Sequence, residues 1–261
     1  MPTVSDTRDI SPRRANGPVT GVRCIDCTLR RRRLFRPLSG NELAAVQAMK
    51  QQHLTVSAGT DVVRSGEPVR ICYTLFDGWA ARYHELKSGA RQILDVVLPG
   101  DAIALDSVLL GAGTHSVHAL TLASFCALDG RQLVALLESK PAFAADVLRT
   151  QLENERRADA RLTMLGRLSG EERVGYFLVE TFERLRRRGL TDGTRSAFPM
   201  RRTDIADAVG LSKVHAMRAL RALRADGLAD IGGGHLTIAD PAQLAAHVGF
   251  VPLPKTRRAI L

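Results

Sequence analysis

Near the C-terminal end of the chain, apolar positions recur with helical spacing in two short segments separated by a glycine. The first segment has three apolar residues on one face, Ile205, Ala206 and Val209. Gly210 is expected to end this helix, and Ser212 to cap the next one by accepting a hydrogen bond from a free amide of its first turn. The second segment has three inward-facing residues, Ala216, Leu220 and Leu223. The pattern predicts two helices joined by a tight turn.

The residues that follow this helix pair predict a β-hairpin. Two short apolar runs, 228–231 and 235–238, are joined by Gly232-Gly233-Gly234, and such a connection suits a tight hairpin turn. Together the elements predict a winged helix-turn-helix, whose second helix enters the DNA major groove. The alternative is an ordinary helical hairpin with a solvated basic face. The residues predicted to contact DNA are Arg202, Ser212, Lys213, Val214, His215, Met217, Arg218 and Arg221.

The middle of the chain has the texture of short strands and turns. Between His53 and Asp129, short β-rich runs are punctuated by glycines at intervals of 7 to 12 residues up to Gly100. This spacing predicts a compact antiparallel barrel or sandwich. Before it, Ser39 and Glu42 resemble a capping box that opens a helix over 41–50.

From about Arg131 to Leu190 the pattern becomes helical. A broken apolar stripe runs through Phe143, Val147, Leu148, Leu152, Leu162, Leu165 and Leu168. The middle of this long helix is rich in charged residues, which predicts pairing with the same helix of a second chain. The alternative is a plain interdomain helix. A further helix is expected over 171–188.

Composition and charge limit the classes of function that we expect for this chain. The chain has 261 residues, 45% hydrophobic residues and a net charge of +10, and its basic excess lies mostly in the two tails. These tails would attract phosphate or act as solubilising arms. The sequence has no signal peptide and no apolar run of membrane-spanning length, so we expect a cytoplasmic protein without a membrane partner. No catalytic motif is present, so we do not expect an enzyme.

Several segments resemble the Crp/Fnr family of bacterial transcription regulators, in a branch common in alphaproteobacteria. They are GTDVVRSGEP (59–68), LPGD (98–101), GRLSGEERVGYFL (166–178) and the helix-turn-helix region, with CxxCxLR, YTLFDGWAARY (73–83) and LSKVHAMRAL (211–220) typical of the branch. The resemblance implies an α+β fold with an N-terminal antiparallel β-roll like a cyclic-nucleotide-binding domain, a long dimerisation helix and a C-terminal winged helix-turn-helix. It also implies a homodimer that binds a palindromic operator in double-stranded DNA and contacts RNA polymerase.

This resemblance divides the chain and assigns roles within the DNA-binding region. The expected parts are a disordered arm (1–22), a β-roll sensor domain (23–140), a dimerisation helix (141–168), a winged helix-turn-helix domain (169–250) and a basic tail (251–261). Arg218 stands where the family pattern has its base-reading arginine. Val214 and Met217 depart from the Fnr pattern of Glu and Ser at these positions, so we expect a different half-site.

The β-roll lacks the residues that hold cyclic AMP in this family. Those receptors hold the ribose with a Gly-Glu-Leu run and the phosphate with an Arg-Ser pair. No Glu or Arg occurs between Pro99 and His118, and His115-Ser116 stands roughly where Arg-Ser would be. Because burying a phosphate without a charge-assisted donor is costly, we predict a signal other than cyclic AMP.

The four cysteines favour oxygen or redox state as the signal. Cys24 and Cys27 resemble the start of the cysteine motif of Fnr-type oxygen sensors, which hold a 4Fe–4S cluster, and Cys126 falls where those sensors have their distant ligand. Arg33 occupies the place of a further motif cysteine, so Cys72 would have to complete the set.

Other readings of the cysteines stay open. The basic run 30–33 would lower thiol pKa values and suit a thiol–disulfide pair at Cys24 and Cys27. A zinc site formed by these two and a histidine is a further alternative, as is simple packing for Cys72 and Cys126. In that last case the regulator would respond to a cyclic nucleotide or another small ligand without cysteine-based sensing.

Overall fold

A computed structural model describes residues 21–32 and 35–253. Most of the predicted N-terminal arm, Arg33 and most of the basic C-terminal tail lie outside the described residues. The chain begins with a 3₁₀ turn at Cys24–Asp26 and two helices, α1 (Thr28–Arg31) and α2 (Gly40–Met49). The predicted capping box of α2 is confirmed, because Ser39 accepts from the Glu42 amide while the Glu42 carboxylate accepts from the Ser39 amide.

Eight antiparallel strands follow and form two facing sheets, which we call the β-roll. Their bounds are β1 Lys50–Val56, β2 Asp61–Val63, β3 Ile71–Asp77, β4 Ala80–Glu85, β5 Arg91–Val97, β6 Ala102–Ile103, β7 Ser116–Ala119 and β8 Ala123–Asp129. One sheet has the order β1-β8-β3-β6 and the other β2-β7-β4-β5. Their inner faces share an apolar core that contains Leu75, Val117 and Phe125. The antiparallel β-roll is therefore as predicted. A short helix, α3 (Leu105–Leu110), follows β6 and was not predicted.

The second half of the chain is mostly helical. Its helices are α4 Gly130–Ser139, α5 Pro141–Arg167, α6 Gly170–Arg187, α7 Arg202–Val209, α8 Lys213–Ala225 and α9 Pro241–Val248. A small sheet, in the order β11-β12-β10-β9, consists of β9 Thr191–Asp192, β10 Arg195–Ala197, β11 Asp230–Gly232 and β12 His235–Thr237. The predicted hairpin is thus part of a four-stranded sheet, and α9 is an additional helix. The predicted fold class is confirmed.

Helix α6 packs against the β-roll through a contiguous apolar core. This core joins Trp79, Ile93 and Leu98 of the β-roll to Phe177 of α6 and Phe198 of the segment before α7. Trp79 and Phe198 meet edge to face, with ring centroids 5.8 Å apart. The helix-turn-helix region is consequently held on the β-roll of its own chain.

Buried charges reinforce this junction. Asp95 of β5 accepts hydrogen bonds or ion pairs from Arg157 at 3.2 Å, Arg161 at 3.0 Å and Arg184 at 2.8 Å. Arg184 also contacts Asp101 at 2.9 Å, and Asp101 contacts Arg188 at 2.6 Å. Burial would raise the pKa of Asp95, but the combined arginine charges hold it well below its usual range. We call Asp95, Asp101, Arg157, Arg161, Arg184 and Arg188 the buried ionic cluster.

Candidate nucleic-acid interface

The predicted helix-turn-helix forms from local signals in the sequence. Helix α7 ends at Gly210, whose φ of 63° lies in the left-handed region that glycine adopts readily. Ser212 then caps α8, because its side chain accepts a hydrogen bond from the amide of His215. Ala216 and Leu223 are buried and Leu220 is partly buried, as predicted for the inward face.

The opposite face of α8 is open to solvent. Lys213, Val214, His215, Arg218 and Arg221 are exposed, whereas Met217 is partly buried. Within the described residues, the side chains of Lys213 and Arg218 form no hydrogen bond or ion pair, so their charges are available to a ligand. An α-helix with this exposed basic face has the shape and charge for the DNA major groove.

The remaining predicted residues are engaged in local contacts. Ser212 Oγ and His215 Nδ1 lie 2.8 Å apart, so the capping hydroxyl also holds the imidazole. Arg202, at the start of α7, donates to the Met217 sulfur at 3.4 Å, and Arg221 donates to the Met217 carbonyl oxygen at 3.2 Å. These contacts join Arg202 of α7 to Met217 of α8 and hold the side chains of His215 and Arg221 against α8.

The hairpin next to α8 has the geometry of a wing. Strands β11 and β12 pair in register from Asp230 opposite Thr237 to Gly232 opposite His235. Gly233 and Gly234 form the turn with φ values of 58° and 75°, which suits the two-residue turn favoured in hairpins. The wing strand starts two residues later than the apolar run that predicted it.

The close crossing beneath α8 involves a glycine that the sequence reasoning missed. A Cβ atom on Gly175 of α6 would lie 2.8 Å from Val248, 3.3 Å from Leu244 and 3.5 Å from Leu223. Gly175 therefore lets α8 and α9 approach α6 closely. Its position within an apolar helix, GYFLV, was the available signal.

Helix α5 has one apolar face without a covering element among the described residues. Leu148, Leu152 and Leu162 are exposed by 59%, 47% and 72%. Phe143 and Val147, from the same predicted stripe, are instead buried in the core of their own chain. The charged middle of α5 is also partly explained within the chain, because Arg157 and Arg161 belong to the buried ionic cluster.

A cavity of about 290 Å³ lies between the β-roll and α5. His115 lines it and is within 3.4 Å of Asp106, but burial lowers the pKa of His115 and favours its neutral form. Arg82 of β4 also lines the cavity, and its Nε is buried without a hydrogen-bond partner in the described part of the chain. Arg82 was not predicted from the sequence, because it lies outside the segment that corresponds to the cyclic-AMP-binding residues of the family.

Three of the four cysteines lie near one another on the outer face of the first sheet. The Cys126 sulfur is 3.3 Å from His53 Nε2, and Cys24 and Cys27 are close enough to add to the pKa of Cys126. Burial is the main cause that raises the pKa of Cys126, to about 12. Burial also raises the pKa of Cys24, because it outweighs the opposing charges of Lys50 and Arg30. Arg30 of the basic run thus acts in the expected direction, but the predicted net lowering of the pKa of Cys24 is wrong because burial has the larger effect.

Cys72 does not fit the role of fourth cluster ligand. Its side chain is fully buried in a core with Val46 and Leu128, and its sulfur donates to the Ile103 carbonyl oxygen at 3.4 Å. Burial raises the pKa of Cys72 to about 12, which keeps the thiol protonated. Within residues 21–32 and 35–253, no group of three or more His, Cys, Asp or Glu side chains is arranged to hold a metal ion. The residues present therefore do not fit a four-thiolate iron–sulfur cluster.

In the described segments, no helix combines the length and the apolar character that crossing a bilayer needs.

Comparison with known proteins matches both halves of the chain. A family model for a Crp-like helix-turn-helix domain matches residues 172–247, and one for a cyclic nucleotide-binding domain matches residues 53–140. The chain is 27% identical over 224 residues to the nitrogen fixation regulation protein FixK of Bradyrhizobium diazoefficiens, across 85% of this chain and 92% of that protein. It is 25% identical over 231 residues to the transcriptional activator protein FnrL of Cereibacter sphaeroides, across 87% and 92%.

A solved structure agrees with these relatives. The structure of FixK2 from Bradyrhizobium japonicum superimposes with a TM-score of 0.68 at 25% identity and covers 74% of this chain and 95% of that one. The predicted resemblance is therefore confirmed, including its alphaproteobacterial branch. The chain belongs to the Crp/Fnr family of DNA-binding transcription regulators.

Proposed function

We propose that this protein is a dimeric, sequence-specific transcription regulator that reads a palindromic operator with helix α8. The observation that carries the proposal is the exposed face of α8, where Arg218 has no partner within the described residues. A bidentate arginine contact with guanine provides base discrimination, while Lys213 and Arg221 would bind phosphate. The regulator acts in the cytoplasm, where its DNA lies, and contacts RNA polymerase there.

The proposed parts of the chain are those expected from the sequence. Residues 23–140 form the sensor, 141–168 the dimerisation helix and 169–250 the DNA-binding domain, with the arm 1–22 and the tail 251–261 outside them. The exposed leucines of α5 support pairing with a second copy, because an uncovered apolar helix face gains stability when it is buried. Linking two half-site contacts makes the second one intramolecular, which raises the operator affinity.

Selection of bound sequences from a random duplex pool tests the proposal. We expect a palindromic consensus whose half-site differs from the Fnr one, since Val214 touches a thymine methyl group rather than accepting a bond from cytosine. A mobility-shift titration at two salt concentrations then separates specific binding from phosphate attraction. Recovery of random sequences would contradict the proposal, and recovery of the Fnr consensus would contradict the predicted half-site.

The signal that we propose is oxygen or redox state, acting through Cys24 and Cys27. Support comes from the partly buried thiol pair next to Cys126 and from relatives such as the anaerobic regulatory protein of Pasteurella multocida, which is 22% identical to this chain. Replacement of both Cys24 and Cys27 with Ser should abolish the difference in reporter expression between air and nitrogen. Cys72→Ser serves as the matched control, and an unchanged response in the double variant would contradict the proposal.

The cavity of the β-roll favours a second candidate, a regulator that responds to a small ligand without using its cysteines. The carrying observation is Arg82, whose buried Nε has no hydrogen-bond partner among the described residues and which lines the cavity together with Thr114 and Asn154. Isothermal titration with cyclic AMP and with simple carboxylates distinguishes these ligands. Binding that is lost in Arg82→Ala would support the second candidate.

A further inference from the structure

Arg91 joins the β-roll to the first helix of the DNA-binding motif. It lies at the start of β5, and its Nη2 donates to Asp204 Oδ1 at 2.6 Å while its Nε donates to Asp207 Oδ2 at 2.9 Å. Both aspartates belong to α7, one helical turn apart. The guanidinium thus spans two carboxylates of the helix that precedes the recognition helix.

Side chains of the β-roll itself also hold Arg91 in place. The guanidinium carbon lies 5.7 Å from the centre of the Tyr83 ring, and Nη1 lies 3.3 Å from His118 Nε2. Tyr83 and His118 meet edge to face, and the Tyr83 hydroxyl donates to Asp61 at 3.0 Å. These contacts lie within the β-roll and do not depend on α7. The guanidinium is therefore preorganised for the two aspartates.

Other contacts lie along the same boundary between the β-roll and the DNA-binding region, which we call the seam. The Gln92 amide donates to the Ala208 carbonyl oxygen at 3.4 Å, one residue along both elements from the arginine contact. The Trp79–Phe198 contact lies in the apolar core on which α6, α7 and the β-roll meet. The seam therefore has polar contacts at its edge and an apolar interior, as a stable docking surface does.

We propose that Arg91 is a positioning residue for DNA binding, which holds α7 on the β-roll and so presents α8 at a fixed orientation. This inference rests on the proposed function of operator binding. Arg91 itself need not touch DNA, because it acts through Asp204 and Asp207.

The docked arrangement leaves the reading face free. Lys213, Arg218 and Arg221 remain exposed while α7 is held by Arg91, so docking does not compete with the groove contact. Docking also neutralises two acidic residues of α7, the helix that crosses the DNA backbone in this motif. Loss of Arg91 would both release the motif and uncover negative charge near phosphate, and both effects weaken binding.

Trp79 reports docking without any DNA. It is the one tryptophan of the chain and is only 7% exposed, against Phe198 of the DNA-binding region. Release of the motif would expose its indole to water and shift its emission to longer wavelength. The fluorescence of the full-length protein therefore measures the positioning step separately from operator binding.

The test compares three variants in emission and in affinity for the selected operator. Arg91→Ala should shift the Trp79 emission to the red and weaken operator binding by about tenfold, within the range of interdomain coupling. Asp207→Asn should change both readouts in the same direction, and the double variant should be no weaker than Arg91→Ala. Asp207 is the cleaner partner, because Asp204 also caps α7 by accepting from the Arg201 amide.

Lys87→Ala is the matched control, since it removes a positive charge from the exposed end of the same β4–β5 hairpin. It should leave both readouts close to wild type. Equal loss of affinity in Lys87→Ala and Arg91→Ala, without an emission shift, would overturn the inference in favour of direct phosphate attraction. Tighter operator binding by Asp207→Asn, or wild-type behaviour of Arg91→Ala in both readouts, would also overturn it. Failure of the wild-type protein to select any operator would instead refute the proposed function.

Discussion

The recognition helix and the junction between α6 and the β-roll use arginine in opposite ways. On α8, Arg218 and Arg221 are exposed, and Arg218 has no partner in the described part of the chain. On α6 and at its C-cap, Arg184 and Arg188 are buried, and each contacts the carboxylate of Asp101. The arginines of these two regions therefore differ in environment: Arg218 and Arg221 are solvated, whereas Arg184 and Arg188 are buried against an internal carboxylate.

The energetic cost of removing an arginine should differ accordingly between the two regions. Arg184→Ala would leave Asp95 and Asp101 each short of one buried partner, whose contacts now measure 2.8 and 2.9 Å. Breaking such a buried pair typically costs about 3–5 kcal/mol. We expect a loss of this size in the free energy of unfolding, measured by urea denaturation.

The control for this variant is Arg224→Ala, which removes a 71% exposed side chain from α8 at 3.5 Å from Asp230. Its cost should be less than about 1 kcal/mol, because exposed ion pairs contribute little. Equal costs for the two variants would show that the buried ionic cluster has no special role in stability.

A charged substitution on the exposed apolar face of α5 should have the next largest effect. Leu162→Glu would place a charge where we propose that the second copy packs, and should yield monomers in sedimentation. Operator affinity should fall by about 100-fold, because the link between the two half-site contacts is lost. Leu122→Glu, at a 67% exposed position between β7 and β8, is the control and should remain dimeric. A dimeric Leu162→Glu variant with full affinity would place the interface elsewhere.

Arg218→Ala tests the proposed role of an exposed arginine on α8. Removing a bidentate contact to guanine should cost about 1–3 kcal/mol in operator affinity and relax the preference at one base pair. The unfolding midpoint should not change, since the side chain is exposed and has no hydrogen bond or ion pair among the described residues. Arg186→Ala, a 60% exposed arginine on α6, is the control for charge alone. Unchanged operator affinity in Arg218→Ala would exclude it as the base reader.

The same comparison explains what could be predicted from the sequence. The helix-turn-helix was predictable because its signals are local: Gly210 ends α7, Ser212 caps α8, and the apolar residues repeat within one helix. The glycine spacing likewise predicted the strands of the β-roll. Helices α3 and α9 and strands β9 and β10 are too short to produce a clear periodicity.

The junction was not predictable, because its partners are distant along the chain. Asp95 and Arg184 are separated by 89 positions, and nothing near either residue indicates the other. The charged middle of α5 was therefore interpreted as a sign of dimerisation, whereas Arg157 and Arg161 contact Asp95 of the same chain. For the same reason Cys72 suggested a ligand, although its position on β3 places it in a core.

Arg36 is intermediate between the exposed arginines of α8 and the buried arginines of the junction. Changing its contact with Glu42 gives the smallest predicted effect. It contacts Glu42 of α2 at 2.5 Å and also pairs with Asp146 of α5, and its side chain is 24% exposed. The hydrogen bond from Arg36, followed by that from the Ser39 amide, lowers the pKa of Glu42 to about 2 from its ordinary 4.5. Because the folded-state pKa is depressed, this contribution to stability is complete above about pH 4.5 and is lost as the pH falls toward 2.

Glu42→Gln isolates this contribution, since glutamine also serves at this position of a capping box. The variant should be less stable than wild type by no more than about 1 kcal/mol at pH 7, because the pair is partly solvated. The difference should shrink between pH 4.5 and pH 2, the interval set by the two pKa values of Glu42. Urea midpoints measured across this interval provide the check. A difference that stays constant down to pH 2 would mean that the substitution acts through packing and not through the charge of Glu42.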